Sequence, residues 1–211
     1  FPLYQPQFQN KEVRQALSLA LNRQAVMTAI LTAEKPADDF MPPGVTGYRQ
    51  GVCQYCQYNV DLAKQKLADA GGFQGDLTLN FYADDTTLEQ AMEAVATQWK
   101  DNLGITVKLN AIPQNTYFSG SSPQLTKKMT GPWWDGWTQD YPSIQDFLEP
   151  IYGTNGGYNT TGYDNKQFDQ TLDAGNQQGL EESIPTYQQA DDMLLEDMPA
   201  IPWGFIGFNL V

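Results

Sequence analysis

LTLNFYADDTTLEQAMEAVATQWKDNLGITVKLNAI, residues 77–112, is the stretch that determines the predicted fold class. Its first seven residues, 77–83, alternate apolar and polar positions and are rich in β-formers, which is typical of a strand. A helical pattern follows and ends at Gly104, and a second strand is predicted over 105–112. A strand, a long helix and a strand in this order predict a right-handed βαβ unit with a parallel pair of strands.

The residues before this unit predict two helices and one long loop. NKEVRQALSLALNRQAVMTAILTAEK, residues 10–35, carries one apolar stripe at helical spacing and predicts a single long helix capped by Asn10. Residues 36–58 are irregular, and a loop this long in a compact domain is usually functional or packed on a partner surface. Asn59 is predicted to cap a second helix over 60–70.

The residues after the unit extend the same architecture. In chain order they predict an extended segment or strand (129–138), a short helix (144–151), a loop (153–162), two helices (166–176 and 182–197) and a last strand (203–210). Strands and helices in this alternation predict an α/β protein in which helices pack on a mixed sheet.

Composition bounds the function. The 211 residues suffice for one large domain or two small ones, and their 41% apolar content predicts a buried core. With 12 Lys and Arg against 25 Asp and Glu, the net charge is -13, and so acidic a surface repels nucleic acids and anionic lipid headgroups. No apolar run approaches the ~20 residues that cross a bilayer. The absence of histidine removes histidine-based acid–base catalysis and most zinc sites.

Cys53 and Cys56 are the only cysteines, spaced CQYC. They are too few for a four-thiolate zinc site, and their Gly/Tyr/Gln-rich surroundings do not resemble the helix start of a thioredoxin-like motif. A local disulfide is the favoured interpretation, and it implies an extracytoplasmic setting. Free thiols are the alternative.

A cluster of aromatic residues marks a candidate site. Trp133, Trp134 and Trp137 fall within five residues, and Asp135 lies among them. In an extended segment Trp133, Asp135 and Trp137 share one face, and Trp134 points the other way. Core packing is the alternative, above all for Trp134. Glycine and proline interrupt the cluster and polar residues follow it, so it suits the wall of a small-molecule or peptide site.

Asp140 is the carboxylate that we single out. It is either a turn or cap residue, since Tyr141-Pro142-Ser143 follows, or a counter-ion for a ligand ammonium group. Asp135 and Asp140 could also form the acid and nucleophile of a carboxylate-pair glycosidase, although nothing else in the chain resembles a hydrolase.

Four segments, in order, resemble the extracellular solute-binding proteins of family 5, the dipeptide and oligopeptide binders of ABC importers. The four segments read NKEVRQALSLALNRQAV, YNVDLAKQKLADAGG, WTQDYPSIQDFLEPIY with the Gly-Tyr-Asp and Phe-Asp that follow it, and YQQADDMLLEDMPAIPW, and within them the likeness extends from Glu12 to Trp203. The third departs from the family pattern, which has Pro-Asp-Pro where this chain has Pro142-Ser143-Ile144.

The resemblance implies a two-lobed periplasmic-binding-protein-like fold of type II that closes on its ligand like a clamshell. Residues 1–211 would be a single α/β lobe of the C-terminal type, and the missing second lobe would be a partner. Residues 1–9 and 205–211 would be the hinge-proximal ends and would lie near each other. The chain has neither an initiator Met nor a signal peptide, which fits the expectation that it is an excised or processed piece.

The resemblance also implies roles for particular residues. Asp140 would hold the α-ammonium of a peptide, Trp137 would be a pocket wall, and Tyr141, Trp134 and Trp133 would complete the ligand-binding set. Trp134 stands where some oligopeptide binders have arginine, so the ligand carboxylate would need Lys127, Lys128 or the other lobe.

The function expected from this resemblance is peptide capture for a membrane ABC permease, with no catalysis, cofactor or metal. The full protein would be extracytoplasmic and lipid-anchored. One alternative is an oligosaccharide-binding protein of the same family, because indoles stack on sugars. The glycosidase and a purely structural domain that meets only other proteins are the others.

Overall fold

The computed structural model describes residues 1–31 and 35–205 of the chain. Its regular elements are α1 (Lys11–Leu19), α2 (Arg23–Val26), β1 (Lys35–Pro36), α3 (Val60–Asp69), β2 (Leu77–Tyr82), α4 (Thr86–Leu103), β3 (Val107–Ile112), α5 (Gln114–Tyr117), α6 (Gln145–Tyr152), α7 (Lys166–Asn176), α8 (Ile184–Asp197) and β4 (Gly204–Phe205). Single helical turns of other types lie at Pro6–Phe8, Met27–Leu31 and Gln54–Cys56. The predicted α/β class is confirmed.

The βαβ unit is confirmed in detail. β2 and β3 pair in parallel with a register from Leu77 opposite Val107 to Tyr82 opposite Ile112. The side chain of Asp85 caps α4, and the helix ends at Gly104, whose left-handed φ of 71° suits glycine. α4 packs on both strands of this unit.

The prediction of one long helix over 10–35 is wrong. The helix stops after α1 and restarts at α2, where the side chain of Asn22 caps the new helix. The cause lies in α4: the indole nitrogen of Trp99 donates to the carbonyl of Leu17 at 2.8 Å, and the amide of Asn102 donates to the carbonyl of Ala20 at 2.8 Å. These donors satisfy carbonyls near the end of α1, so the chain turns there at little cost. Residues 32–34 of the prediction lie outside the described residues.

The predicted mixture of parallel and antiparallel pairing is present, but in the described residues it is divided between two small sheets. Besides the parallel pair, β1 and β4 form an antiparallel pair in which Lys35 lies opposite Phe205. The last predicted strand, 203–210, is described only as far as Phe205. The predicted segment 129–138 is extended but joins a sheet through one bridge alone, between Asn80 and Trp133.

Two hydrophobic cores lie side by side. The first core is built from α1, α3, β2 and α4, with Leu17 and Trp99 among its buried side chains. The second core is built mainly from α6, α7 and α8, with Phe168 and Leu194 among its buried side chains. The three helices of the second core are confirmed, although α8 begins at Ile184 rather than at 182.

The irregular segment predicted over 36–58 is a loop from residue 37, because Pro36 belongs to β1, and it contains the single helical turn Gln54–Cys56. The structure joins Cys53 and Cys56 by a disulfide with their Cα atoms 5.2 Å apart. Arg23 reaches the same turn and donates to the carbonyl of Cys56 at 2.6 Å and to that of Ala37 at 2.8 Å. The side chain of Ser18 donates to the carbonyl of Tyr55 at 2.7 Å. The disulfide is therefore one of several local ties on the loop.

Two fully buried aspartates, Asp39 of this loop and Asp191 of α8, meet beside Arg49. Arg49 donates to Asp191 at 2.7 Å through its guanidinium and to Asp39 at 3.1 Å through its backbone nitrogen. Burial raises the pKa of Asp39, and burial together with the charge of Asp39 raises the pKa of Asp191 to about 8. The pair therefore retains a proton near neutral pH.

The shared proton predicts a stability that falls as pH rises. The folded-state pKa of Asp191, about 8, lies above its ordinary value of 3.8, so between pH 3.8 and pH 8 the folded protein binds one proton more than the unfolded chain. The stability that this proton provides is therefore lost as the pH rises toward 8. We expect the melting temperature to drop by several degrees, roughly 3–8 °C, from pH 5 to pH 8. Asp191→Asn mimics the protonated carboxyl, so its melting temperature should change less over this range when followed by circular dichroism.

Asp192→Asn is the matched control, because Asp192 is exposed and also binds Arg49. It should keep the pH dependence of the unmodified protein. A pH dependence of Asp191→Asn as steep as that of the control would contradict the shared proton.

Candidate functional site

Residues 131–141, hereafter the tryptophan strap, cross from the first core to the second. The strap is fixed at its start by Asn80 of β2, a buried residue that sequence reasoning did not single out. The backbone nitrogen of Asn80 donates to the carbonyl of Pro132 at 2.8 Å, and its carbonyl accepts from the nitrogen of Trp134 at 2.9 Å. Its side-chain amide donates to the carbonyls of Pro132 and Gly131 at 3.0 and 3.2 Å. One residue of a buried strand thus sets the position of the strap.

Trp134 lies against the first core. It is half-buried, its ring meets that of Trp203 edge-on with centroids 5.5 Å apart, and its carbonyl accepts from the hydroxyl of Tyr117. The core-packing alternative therefore describes this residue well. Trp134 also forms part of the wall of a recess, so packing leaves a portion of its indole accessible.

This recess, of about 130 Å³, is lined mainly by apolar side chains and includes Trp133, Trp134 and Trp203. Asp135 lies at its rim and accepts from the indole of Trp133 at 3.1 Å and from the nitrogen of Gly136 at 2.9 Å. Desolvation by the surrounding protein raises the pKa of Asp135. Trp133 and Asp135 thus lie on one side of the strap, as predicted.

Trp137 and Asp140 are held at the other end of the strap by one buried carboxylate. The indole nitrogen of Trp137 and the backbone nitrogen of Asp140 both donate to Oδ2 of Asp146, at 3.1 and 3.0 Å. The Trp137 ring packs on the second core and meets the exposed Tyr158 edge-on at 4.9 Å. The side chain of Asp140 is exposed. The structure therefore binds the indole of Trp137 and the backbone of the exposed Asp140 to one acceptor, while the predicted face shared by Trp133, Asp135 and Trp137 ends at Asp135.

Tyr141 follows at the exposed edge of this wall. Its hydroxyl donates to the side chain of Gln145, and it borders a polar groove of about 240 Å³ that Tyr187 also lines. Desolvation raises the pKa of Tyr141, with further contributions from the negative charges of Asp146, Glu149 and Asp140. This end of the strap is therefore a region of negative potential.

The carboxylates at this end of the strap make no ion pair with a described residue. In the described ranges, ion pairs join Lys11 and Arg49 to residues 191–197 and none involves Asp140 or Asp146. Lys127 and Lys128, the expected partners of a ligand carboxylate, lie on an exposed turn. The site thus favours a positively charged group.

Across residues 1–31 and 35–205, no three or more Cys, Asp or Glu side chains converge as metal ligands would. None of the helices in this part of the chain has the length and apolar character needed to cross a membrane.

Sequence reasoning singled out Trp137, Asp140 and Tyr141, whose ligand-binding role stays a prediction, and it did not single out Asp146 and Tyr158. Asp146 stands in the first turn of α6, where an acidic residue is unremarkable because it complements the helix dipole. Asp146 is buried by the second core and by the strap that folds over it. No local sequence pattern predicts this burial. Tyr158 lies in a Gly/Asn/Thr/Tyr loop whose tyrosines look alike in sequence.

Comparison with known proteins gives a family match over most of the chain. The model of the bacterial extracellular solute-binding proteins, family 5, middle, matches residues 1–159. The oligopeptide-binding protein OppA of Bacillus subtilis (strain 168) is 28% identical over 212 residues, covering 93% of this chain and 37% of OppA. The heme-binding protein A of Haemophilus influenzae is 29% identical over 206 residues, covering 92% of this chain and 36% of that protein.

Solved structures show the same fold. The structure of the Escherichia coli murein tripeptide binding protein MppA superposes with a TM-score of 0.84 at 26% identity, covering 97% of this chain and 41% of MppA. The chain thus spans about 37% of the length of the curated relatives that it matches.

Proposed function

This chain belongs to the bacterial extracellular solute-binding proteins of family 5, and from that membership we propose that it is one lobe of a protein that captures peptides for an ABC importer. Residues 1–211 form the lobe, and residues 1–9 and 205–211 lead to the hinge, of which 206–211 lie outside the described residues. The N-terminal nitrogen of Phe1 donates to the carbonyl of Pro199 at 3.0 Å, so the first proposed end lies near the turn that precedes the second, which supports this arrangement.

The observation that carries the proposal is that the exposed Asp140 and the indole of Trp137 are bound to one acceptor, Asp146. An ammonium group bound there forms a charge-assisted hydrogen bond, and the aromatic wall of Trp137 and Tyr158 excludes water from it. Asp146 adds a second negative charge beneath the site. A free peptide amino end is the ligand group that best matches this chemistry.

Capture requires no chemical step. The second lobe closes over the bound peptide, which is desolvated between the lobes. Because the peptide binds the closed state more tightly than the open state, it shifts the population of the protein toward the closed state. An ABC permease in the membrane receives the peptide. An extracytoplasmic location, at the cell surface or in the periplasm, fits the family, and a lipid anchor on the full protein is part of the proposal.

Two alternatives are less well supported. An oligosaccharide-binding protein would use the indoles for stacking, but it gives no role to the exposed Asp140 and buried Asp146 on one wall. A carboxylate-pair glycosidase would need Asp135 and Asp140 to act together. Asp135 lies on the recess at the first core and Asp140 beside the second, and the relatives compared above are binding proteins.

The proposal predicts that the full-length protein distinguishes peptides by their amino end. Pools of random peptides of three to five residues should bind with at least ~30-fold higher affinity when the amino end is free than when it is acetylated, because acetylation removes the charge that Asp140 would pair with. Native mass spectrometry of the protein with each pool measures this ratio. Equal retention of the two pools, or no retention of either, would overturn the proposed function.

A further inference from the structure

Asp146 is a fully buried carboxylate beneath the tryptophan strap, at the second residue of α6. Burying a carboxylate without a cation is costly, and no ion pair to Asp146 exists within the described part of the chain. Its Oδ1 atom is buried without a hydrogen-bond partner among those residues. A buried carboxylate that lacks a cation and has an unpaired oxygen needs an explanation, which its two remaining hydrogen bonds provide.

The two hydrogen bonds that Asp146 accepts run to the two residues of the site. The indole of Trp137 donates to Oδ2 from one side at 3.1 Å, and the backbone amide of Asp140 donates to the same oxygen at 3.0 Å. The first bond fixes the rotation of the aromatic wall. The second fixes the backbone from which the Asp140 carboxylate projects. One acceptor therefore sets the position of the wall relative to the counter-ion.

No regular structure performs this task in its place. The strap between Trp134 and Asp140 belongs to no sheet, and neither Thr138 nor Gln139 makes a backbone hydrogen bond through its nitrogen in the ranges described. α6 and the second core hold Asp146 itself in place. The second core thus holds Asp146 in place, and Asp146 in turn holds the strap.

We propose that Asp146 is the positioning residue of the ligand site, fixing Trp137 and Asp140 in one geometry before the ligand arrives. Its contribution to ligand binding rests on the proposed function, while its hold on the strap does not. A preorganised site loses less conformational freedom on binding, so loss of the tie weakens the complex even though Asp146 is buried beneath the site.

The first test follows the indole groups of the full-length protein labelled with ¹⁵N-tryptophan. Asp146→Ala should move the indole resonance of Trp137, identified by its loss in Trp137→Phe. Asp146→Asn should restore it, since a carboxamide oxygen accepts the same two bonds. Affinity for the free-amine peptide pool should fall ~10-fold or more in Asp146→Ala and recover most of this loss in Asp146→Asn.

Asp191→Ala is the matched control, since Asp191 is an equally buried aspartate whose partners lie elsewhere. It should reduce stability and leave the Trp137 resonance unmoved. An unmoved resonance in Asp146→Ala, or equal losses of affinity in Asp146→Ala, Asp146→Asn and Asp191→Ala, would refute the positioning role. If free and acetylated peptides bind the unmodified protein equally, the proposed function fails while the indole measurement still decides the hold on the strap.

A second measurement needs no variant and covers the case in which Asp146→Ala does not fold. In the unmodified protein the Asp140 amide should exchange its hydrogen at least ~10-fold more slowly than the amides of Thr138 and Gln139, which share its exposure but not its acceptor. Equal exchange at the three positions would overturn the inference.

Discussion

Asp140→Ala in the full-length protein is expected to lower the affinity for free-amine peptides ~100-fold or more, because truncating one partner of a desolvated charge pair costs about 2–5 kcal/mol. The loss arises in the closed state, where the ligand ammonium would lose its direct hydrogen-bond partner on this lobe. Folding should be unaffected, since the Asp140 side chain is exposed and the strap is held through its backbone nitrogen. Calorimetry with the peptide pool and thermal melting together measure both quantities.

Asp135→Ala provides the matched comparison, since it removes a carboxylate of the same strap at its other end. It should change the affinity for free-amine peptides less than ~5-fold, because Asp135 lies at the recess on the first core. The glycosidase alternative predicts instead that the unmodified protein hydrolyses a chromogenic glycoside and that neither variant does. Unchanged affinity in Asp140→Ala would remove the basis for the ammonium role.

Local signals predicted the elements that local interactions determine. The βαβ unit of 77–112, the cap at Asn59 and the helix 166–176 all formed where the sequence placed them, since caps, glycine stops and apolar periodicity act within a few residues. The break after α1 was not predictable in the same way. Its cause is a set of donors on α4, about eighty residues further along the chain, that only the tertiary fold brings to the end of α1.

The same division applies to the candidate site. The spacing of Trp137 and Asp140 and the resemblance to a family predict that both residues bind the ligand, and this role stays a prediction. The structure adds Asp146 as the link between them, and its burial depends on how α6 packs into the second core. Asn80 is comparable: in sequence it is one polar position in an alternating strand, and only the parallel bridge to Trp133 gives it the strap to hold. Residues that position a site are thus harder to predict than residues that face a ligand.

The position of the strap also depends on Gly131. Of the two glycine-to-alanine substitutions in the strap, at Gly131 and Gly136, we expect Gly131→Ala to reduce stability more. A Cβ atom at Gly131 would lie 2.9 Å from the carbonyl carbon of Thr78 and closer still to its oxygen. Both atoms belong to the backbone of β2, so no side-chain rotation relieves the clash. Either the strap or the strand must move, and the hydrogen bonds from Asn80 to the strap would be lost with it.

We expect this substitution to lower the free energy of unfolding by at least about 3 kcal/mol and the melting temperature by about 6–12 °C. Gly136→Ala is its matched control within the same strap, because a Cβ atom there meets no atom within 4 Å. The control should melt within about 2 °C of the unmodified protein and bind the free-amine pool normally, since surface changes of this size cost little. Gly131→Ala should lose affinity as well, because the strap carries Trp137 and Asp140 from this anchor to the second core. Equal melting temperatures for the two alanine variants would show that the anchor at β2 does not govern the position of the site.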